Sequence, residues 1–393
     1  MINIPNMLLI GATDRNVGKT TFACDIIKKF SANAPVVALK ITVIKKNNGM
    51  CPRGGEGCGV CSSVSGNFMI TEELNTDSQK DTSQMLAAGS KKVFWLRVME
   101  QHMQEGVKTL LDNIKKTVGL NLAIICESNS IRKVIEPGLF VVFKKKDDNY
   151  IKPSCHDVIE FADKIINKDM LTHKFSGDLN RFSFNDIKWS YKENVTGIIL
   201  AGGKSLRFGM DKSMLSVNGK SMIEHIAGQL KPNFSQILLG ANEVQKFSFL
   251  GCKVVPDKNK GCGPLMGILS CLESSKTELN FVVGCDIPNI DMLLVRKMLR
   301  ESEDYDAVVP TTDDNLIEPL FAVYRKSVIN HIKDILYNSK KRRIKALFDC
   351  VNTKYLKMGK AGWYRNINTK DDYNEFINVL KKEDLKSGNS RNI

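Results

Sequence analysis

Short runs of apolar residues alternate along the chain with longer stretches in which apolar residues recur at three- and four-residue spacing. This is the signature of strands alternating with amphipathic helices. Met7 to Ile10 is the first run, and it stops at Gly11; a helical pattern follows from Thr20 to Phe30. Val36 to Ile44, Val93 to Val98, Leu120 to Cys126 and Leu139 to Phe143 read as further strands, and Val158 to Ile166 as a helix. A strand, a glycine turn and a helix in that order open an α/β domain. Residues 47–67, rich in Gly, Cys and Asn, read as a long loop, and loops of that length usually carry function.

The rhythm fails between residues 168 and 194, which are polar and without a clear period. It restarts at Val195, and βα units then continue to about residue 380. A chain of 393 residues is too long for one ordinary core. The pattern predicts domains over 1–168 and 195–383, a linker over 169–194 and a flexible tail over 384–393. Both domains are expected to be α/β.

Composition narrows the picture. Hydrophobic residues make up 42% and charged residues 25%, the balance of a globular protein, and no apolar run is long enough to span a bilayer. The start of the chain reads as a strand and not as a signal peptide. We therefore expect a cytoplasmic protein without membrane contact. The net charge of +14 suits anionic ligands. Its densest clusters, Lys144-Lys145-Lys146 and Lys340-Lys341-Arg342-Arg343, are short and lack interleaved aromatics, so nucleic acid is not the expected partner.

The strand Val195 to Leu200 runs into Ala201-Gly202-Gly203-Lys204-Ser205-Leu206-Arg207-Phe208-Gly209, followed by Asp211-Lys212. Paired glycines after a strand let backbone approach a phosphate or a base, and N–H groups at such a turn cradle anionic oxygens. Arg207 offers a planar fork for phosphate and Lys212 a point charge. A second strand, Phe281 to Val283, leads to Asp286. A carboxylate at the carboxyl end of a strand in an open α/β sheet sits where ligands bind and can hold Mg²⁺ against phosphates.

The stretch from Leu200 to Lys212 resembles the signature loop of the molybdenum cofactor guanylyltransferase family, L-A-G-G-x-S-x-R-[MF]-G-x-D-K. Isoprenoid and sugar-nucleotide relatives usually carry L-A-A-G there, so Gly202 favours the molybdopterin branch. Gly240-Ala241-Asn242 resembles the family's guanine-contacting asparagine segment. Pro256-Asp257 with Gly263-Pro264-Leu265-Met266-Gly267 resembles its D…G-P-L-x-G. Cys285-Asp286-Ile287-Pro288 resembles its metal-binding C-D-x-P, and Glu318-Pro319-Leu320 and Asn366-Ile367-Asn368 its last two signatures. The resemblance covers roughly residues 195–380 and implies a Rossmann-like fold. It implies GTP as substrate, held by Leu200, Ala201, Gly202, Gly203, Asn242 and Asp257. It further implies Lys212, Arg207 and Asp286 as catalytic residues, and Mg²⁺ on Asp286. A related enzyme using CTP is the alternative within the superfamily; a nucleotide-switched carrier or delivery module is the alternative of another class.

In the first domain, Gly18-Lys19-Thr20 opens a helix after a strand, as in the phosphate loop G-x-x-x-x-G-K-[ST], although Thr13 stands where that pattern begins with glycine. Lys19 is expected on the β/γ-phosphates and Thr20 on Mg²⁺. With Lys40, Lys80-Asp81-Thr82-Ser83 and Glu127, the domain resembles the P-loop adaptor of molybdopterin-guanine dinucleotide biosynthesis. That resemblance implies a P-loop NTPase-like fold, with molybdopterin and molybdoenzymes or their chaperones as partners. Cys51, Cys58 and Cys61 contain a C-x₂-C pair, a chelating spacing for Zn²⁺ or an iron–sulfur cluster. Three thiolates are one short of the usual four, so a metal site and a loop of free thiols both stay open.

Overall fold

The structure is a computed structural model. It describes residues 1–45, 64, 66–145, 149–168, 179–202, 211–312, 314–339, 343–358 and 366–388, without the side chains of Lys168 and 383–388. The chain divides into two compact units, Met1–Tyr191 and Lys192–Ile393.

The first unit is built on strands β1 (Ile2–Ala12), β2 (Val36–Ile44), β3 (Phe68–Glu72), β4 (Lys92–Met99), β5 (Ala123–Glu127), β6 (Ile135–Lys145) and β7 (Lys164–Lys168). They form one sheet in the order β3-β4-β2-β5-β1-β6-β7. Every pairing is parallel except that of β3 with β4. Helices α1 (Lys19–Phe30), α2 (Asp81–Ala87), α3 (Met103–Thr117) and α4 (Pro153–His156) accompany the sheet. Alternation along β1 explains the layering. Met7 and Leu9 enter one buried cluster, and Leu8 and Ile10 the other. A strand covered on both faces reads as an unbroken apolar run, which is why Met7 to Ile10 was legible.

Two expectations need correction here. Val158 to Ile166 is not one helix: α4 is followed by a 3₁₀ turn at Ile159–Phe161 and then by β7. Val158, Ala162 and Ile166 are buried at a spacing of four, which imitates a helical face. The region read as a linker also carries structure. Strands β8 (Phe182–Phe184) and β9 (Trp189–Tyr191) pair as a hairpin, with Phe182, Trp189 and Tyr191 buried in the first unit's core. Phe182 and Tyr191 meet edge to face at 4.8 Å, and the Trp189 indole N–H donates to Asn6 O at 3.0 Å. Aromatic anchors in a polar stretch have no periodicity to betray them.

The second unit carries β10 (Glu193–Leu200), a small hairpin of β11 (Ser216–Val217) and β12 (Lys220–Ser221), and helix α5 (Met222–Leu230). There follow β13 (Phe234–Gly240), β14 (Lys253–Val255), α6 (Pro264–Ser274), β15 (Leu279–Gly284) and α7 (Met292–Glu301). The unit closes with β16 (Ala307–Thr311), β17 (Phe321–Arg325), α8 (Val328–Asn338), α9 (Lys345–Phe348), β18 (Thr353–Lys357) and α10 (Lys370–Gly388). Its sheet has the order β14-β13-β10-β15-β17-β16-β18. The first four strands are parallel, and β17 runs antiparallel to both its neighbours. The sheet is thus mixed. Val195 and Ile199 of β10 face one buried cluster, Ile198 and Leu200 the other. The tail expected from residue 384 is helical as far as Gly388.

Candidate active site

Four adjacent parallel strands, β14, β13, β10 and β15, end on the same side of the second sheet. Their carboxyl ends deliver Asp257, Asn242, Gly202 and Asp286 in turn. Parallel neighbours lie about 4.8 Å apart, so these residues share one rim. Ala201 N donates to Gly240 O at 3.0 Å and Cys285 N to Leu200 O at 3.1 Å, which ties three of the strand ends together. Among the described residues an added Cβ on Gly202 would meet only Gly240 O, at 4.0 Å, an ordinary contact.

Asn242 and Asp257 form one element. The Asn242 amide donates to Asp257 Oδ2 at 3.0 Å, and Asp257 N donates to Asn242 Oδ1 at 3.0 Å. Both side chains are fixed while their remaining capacity faces outward. Lys212 opens a 3₁₀ turn capped by Asp211, whose carboxylate accepts from Ser213 N at 2.9 Å. Lys246 is ion-paired with Asp211. Burial works to raise the Asp211 pKa, but the hydrogen bonds from Lys246 and Ser213 outweigh it and leave the carboxyl below its ordinary range. Asp211 is thus held as the anion by Lys246, and Lys212 Nζ reaches instead to Asn368 Oδ1 at 3.3 Å. Nothing at sequence level singled out Lys246.

Asp286 lies one residue beyond Cys285 at the end of β15. Its carboxylate folds back over Gly284, where a Cβ would sit 2.5 Å from Asp286 Oδ1. A side chain at Gly284 would push the Asp286 carboxylate from this position. Ile367 N donates to Asp286 O at 2.8 Å, which brings the Asn366-Ile367-Asn368 segment onto the same rim. Burial, with the charges of Asp286 and Asp211 adding, pushes the Cys285 thiol up to about 12, so it is an inert thiol among the site's carboxylates. Arg207 and Gly203 lie outside the described residues. Among the described residues no group of three or more His, Cys, Asp or Glu could hold a metal ion. A single strand-end carboxylate suits Mg²⁺, which takes one or two carboxylates and fills its shell with phosphate oxygens and water.

In the first unit the phosphate-loop segment joins β1 to α1. Gly18 stands at φ +86° as the residue before the helix, a conformation that favours glycine. Thr20 Oγ1, in the first turn of α1, donates to Glu127 Oε1 at the end of β5 at 2.8 Å. Burial raises the Glu127 pKa; the Thr20 hydrogen bond works against this, and nearby Asp81 adds to it. Lys40 is ion-paired with Asp81 beside a cavity of about 260 Å³ lined by Lys40, Gln79, Lys80, Asp81, Thr82 and Trp95. On the other side, Lys152 N donates to Thr13 O at 2.8 Å, bolting the segment before α4 to the loop. Burial, reinforced by Lys19, pushes the Lys152 ammonium down to about 8. Lys152 lies in a polar stretch without a motif, so sequence reasoning passed it over. Cys51, Cys58 and Cys61 lie outside the described residues.

Comparison with known proteins bears on the second unit. A family model described as the MobA-like NTP transferase domain matches residues 197–352. A probable molybdenum cofactor guanylyltransferase of Peptoclostridium acidaminophilum is 34% identical over 202 residues, 48% of this chain and 90% of the relative. The chain belongs to the molybdenum cofactor guanylyltransferase family. A second family member, from Pelotomaculum thermopropionicum, is 42% identical over 142 residues, 36% of this chain and 69% of its own length. The chain also resembles the solved molybdopterin-guanine dinucleotide biosynthesis protein A of Archaeoglobus fulgidus. That match has 23% identity and a TM-score of 0.42, covering 48% of this chain and all of the other. Family membership makes this chain a nucleotidyltransferase that carries its transferase domain in the second unit. Among the described residues no helix is long and apolar enough to cross a membrane.

Proposed function

We propose that the second unit transfers GMP from GTP to molybdopterin, forming molybdopterin guanine dinucleotide and releasing pyrophosphate. The arrival of Gly202, Asn242, Asp257 and Asp286 at the ends of four adjacent parallel strands carries this reading, because a nucleoside triphosphate needs a base contact and a phosphate contact along one rim. In this reading Asn242, with its amide fixed by Asp257, contacts the purine edge. The glycine turn beginning at Leu200 and Ala201 receives the triphosphate. Lys212, positioned by Asn368, and Arg207 neutralise it.

The terminal phosphate oxygen of molybdopterin attacks the α-phosphorus of GTP. The bond to the β-phosphate oxygen breaks, and pyrophosphate carries the charge away. The protein's task is alignment and charge neutralisation, and no covalent intermediate is needed. Asp286 would hold Mg²⁺, which supplies charge compensation on the triphosphate. The test is incubation of the full chain with Mg²⁺, molybdopterin and each NTP in turn, with the dinucleotide read by mass. A guanine product supports the reading. A cytosine product would move the enzyme to the CTP-using branch, and no product with any NTP would overturn it.

For the first unit the proposal is nucleotide binding at the loop ending in Gly18-Lys19-Thr20, in the manner of an adaptor. Thr20 with its hydroxyl on Glu127, and the left-handed Gly18 before α1, support it. Thr20 would hold Mg²⁺ there, and molybdoenzymes or their chaperones are the partners this role implies. The same reading leaves Zn²⁺ or an iron–sulfur cluster at Cys51, Cys58 and Cys61 as a proposal that metal analysis of the purified chain decides.

A further inference from the structure

Asp286 has the sheet before it and an irregular turn after it; its own O accepts from Ile367 N at 2.8 Å, and Ile287 N donates to Gly284 O at 3.1 Å. Before it, β15 lies inside the sheet, and Gly284 N and Cys285 N donate to Leu320 O and Leu200 O. After it, residues 287–291 have no regular secondary structure until α7 begins at Met292. Backbone polar groups of an irregular segment at a site need partners from elsewhere. Here a side chain on another helix provides them. Gln229 Nε2 donates to Pro288 O at 2.7 Å, and Ile290 N donates to Gln229 Oε1 at 3.0 Å. One planar amide therefore closes both ends of the turn around Asn289. His225 is four residues earlier on α5, hence on the same face. Gln229 Nε2 also donates to the His225 backbone O at 3.3 Å, and burial pushes the His225 imidazole pKa down. The underside of α5 is itself fixed: Asn233 donates to Gln229 O at 2.8 Å, and Arg296 of α7 donates to Asn233 Oδ1 at 2.9 Å.

We propose that Gln229 is a positioning residue for the transfer reaction, whose amide clamps the Pro288–Ile290 turn and thereby fixes where the Asp286 carboxylate stands. The inference rests on the reading of Asp286 as the metal-holding carboxylate. The logic is geometric. A reacting group misplaced by ~1 Å costs on the order of 100-fold in rate. A turn that loses both anchors can move the carboxylate that precedes it by that much. Among the described residues Gln229 bonds to the turn and not to the rim residues, so it acts through the turn.

The test uses the full chain and follows kcat, KM for GTP, the Mg²⁺ concentration giving half-maximal rate, GTP affinity without metal, and thermal unfolding. Gln229→Leu keeps the size and removes both hydrogen bonds. We expect kcat to fall by ~10- to ~100-fold and the Mg²⁺ requirement to rise, with metal-free GTP affinity unchanged. Gln229→Glu can accept from Ile290 N but donates to Pro288 O only when protonated. Its activity relative to the unmodified chain should therefore recover as pH falls, a response that a merely structural role does not produce. Retention of the original kcat and Mg²⁺ response in both variants, whatever happens to thermal stability, would overturn the proposal. If Gln229→Leu does not fold, the pH response of Gln229→Glu decides. Asp286→Asn is assayed in parallel. Should that variant keep full activity, it is the assignment of Asp286 that fails, whereas a dead Asp286→Asn beside fully active Gln229 variants refutes only the clamp.

Discussion

Asn242 and Asp257, fifteen positions apart on the ends of adjacent strands, are joined by two reciprocal 3.0 Å hydrogen bonds, side chain to side chain and backbone to side chain. The pair behaves as one rigid piece of the rim. Replacing Asn242 with Asp would set two carboxylates against each other and destroy the donor that reaches Asp257 Oδ2. Like charges at that distance cannot both remain ionised comfortably. The expected result is a rise in KM for GTP of ~10-fold or more, the scale of one lost recognition contact. Steady-state kinetics across GTP concentrations checks it, and an unchanged KM would remove Asn242 from the nucleotide site.

How much of this rim was legible in the sequence depends on where each residue sits. Gly202 and Asp286 come just after apolar runs, so strand reading located them at sheet ends, whereas Asn242 and Asp257 were singled out by the family resemblance of their segments. Gln229 and Lys246 have no such marker. Gln229 is on an amphipathic helix and Lys246 in a short 3₁₀ segment, and only tertiary contact reveals what they hold. The antiparallel course of β17 was hidden for a similar reason, since a strand buried on both faces has the same pattern in either direction. In the first unit the error over Val158 to Ile166 came from a spacing of four that two short turns and a strand reproduce by accident. Trp189 and Tyr191 were lost because anchors in a polar stretch carry no period.

Lys19→Ala separates the two nucleotide sites. Binding of GTP to the full chain should have a stoichiometry of two if both units bind. Lys19 is proposed to supply charge on the β/γ-phosphates, and its removal should bring the stoichiometry to one. Calorimetric titration reads this directly. An unchanged stoichiometry in the variant would reduce the loop to a structural turn.

Asp286→Asn preserves the shape of the strand end and removes its charge. An amide is a poorer Mg²⁺ ligand than a carboxylate, so transfer should fall by ~100-fold or more, the scale of one well-placed electrostatic contact in a transition state. GTP binding without metal should change little, because the glycine turn and Lys212 remain. Rate measured against Mg²⁺ concentration is the readout. A variant that works at the original rate at half-saturating Mg²⁺ would pass the metal role to Asp257.

Glu127 makes a prediction about stability and pH in the first unit. Burial raises its folded pKa above the ordinary glutamate value of 4.5, against the opposing hydrogen bond from Thr20. Between those two values the folded state binds more protons than the unfolded one. Stability therefore falls as pH rises from about 4.5 through the folded pKa, then levels off with the full cost of the buried anion in place. Glu127→Gln removes the ionisation and keeps a carbonyl oxygen to accept from Thr20. At neutral pH the variant should be the more stable protein, and a gain of ~1 kcal/mol would lift the unit's melting temperature by roughly 2–4 °C. Near pH 4, where the native glutamate is already protonated in both states, the two proteins should melt together. Two of the chain's three tryptophans, Trp95 and Trp189, lie in this unit, so with Trp363 replaced by Phe in both proteins tryptophan fluorescence during heating follows its unfolding. A melting difference that does not change between pH 4 and pH 7 would mean that the carboxylate carries no burial cost. Glu127 accepts from the Thr20 hydroxyl that is proposed to hold Mg²⁺, so the same variant should also change any Mg²⁺-dependent gain in nucleotide affinity at Lys19 and Thr20.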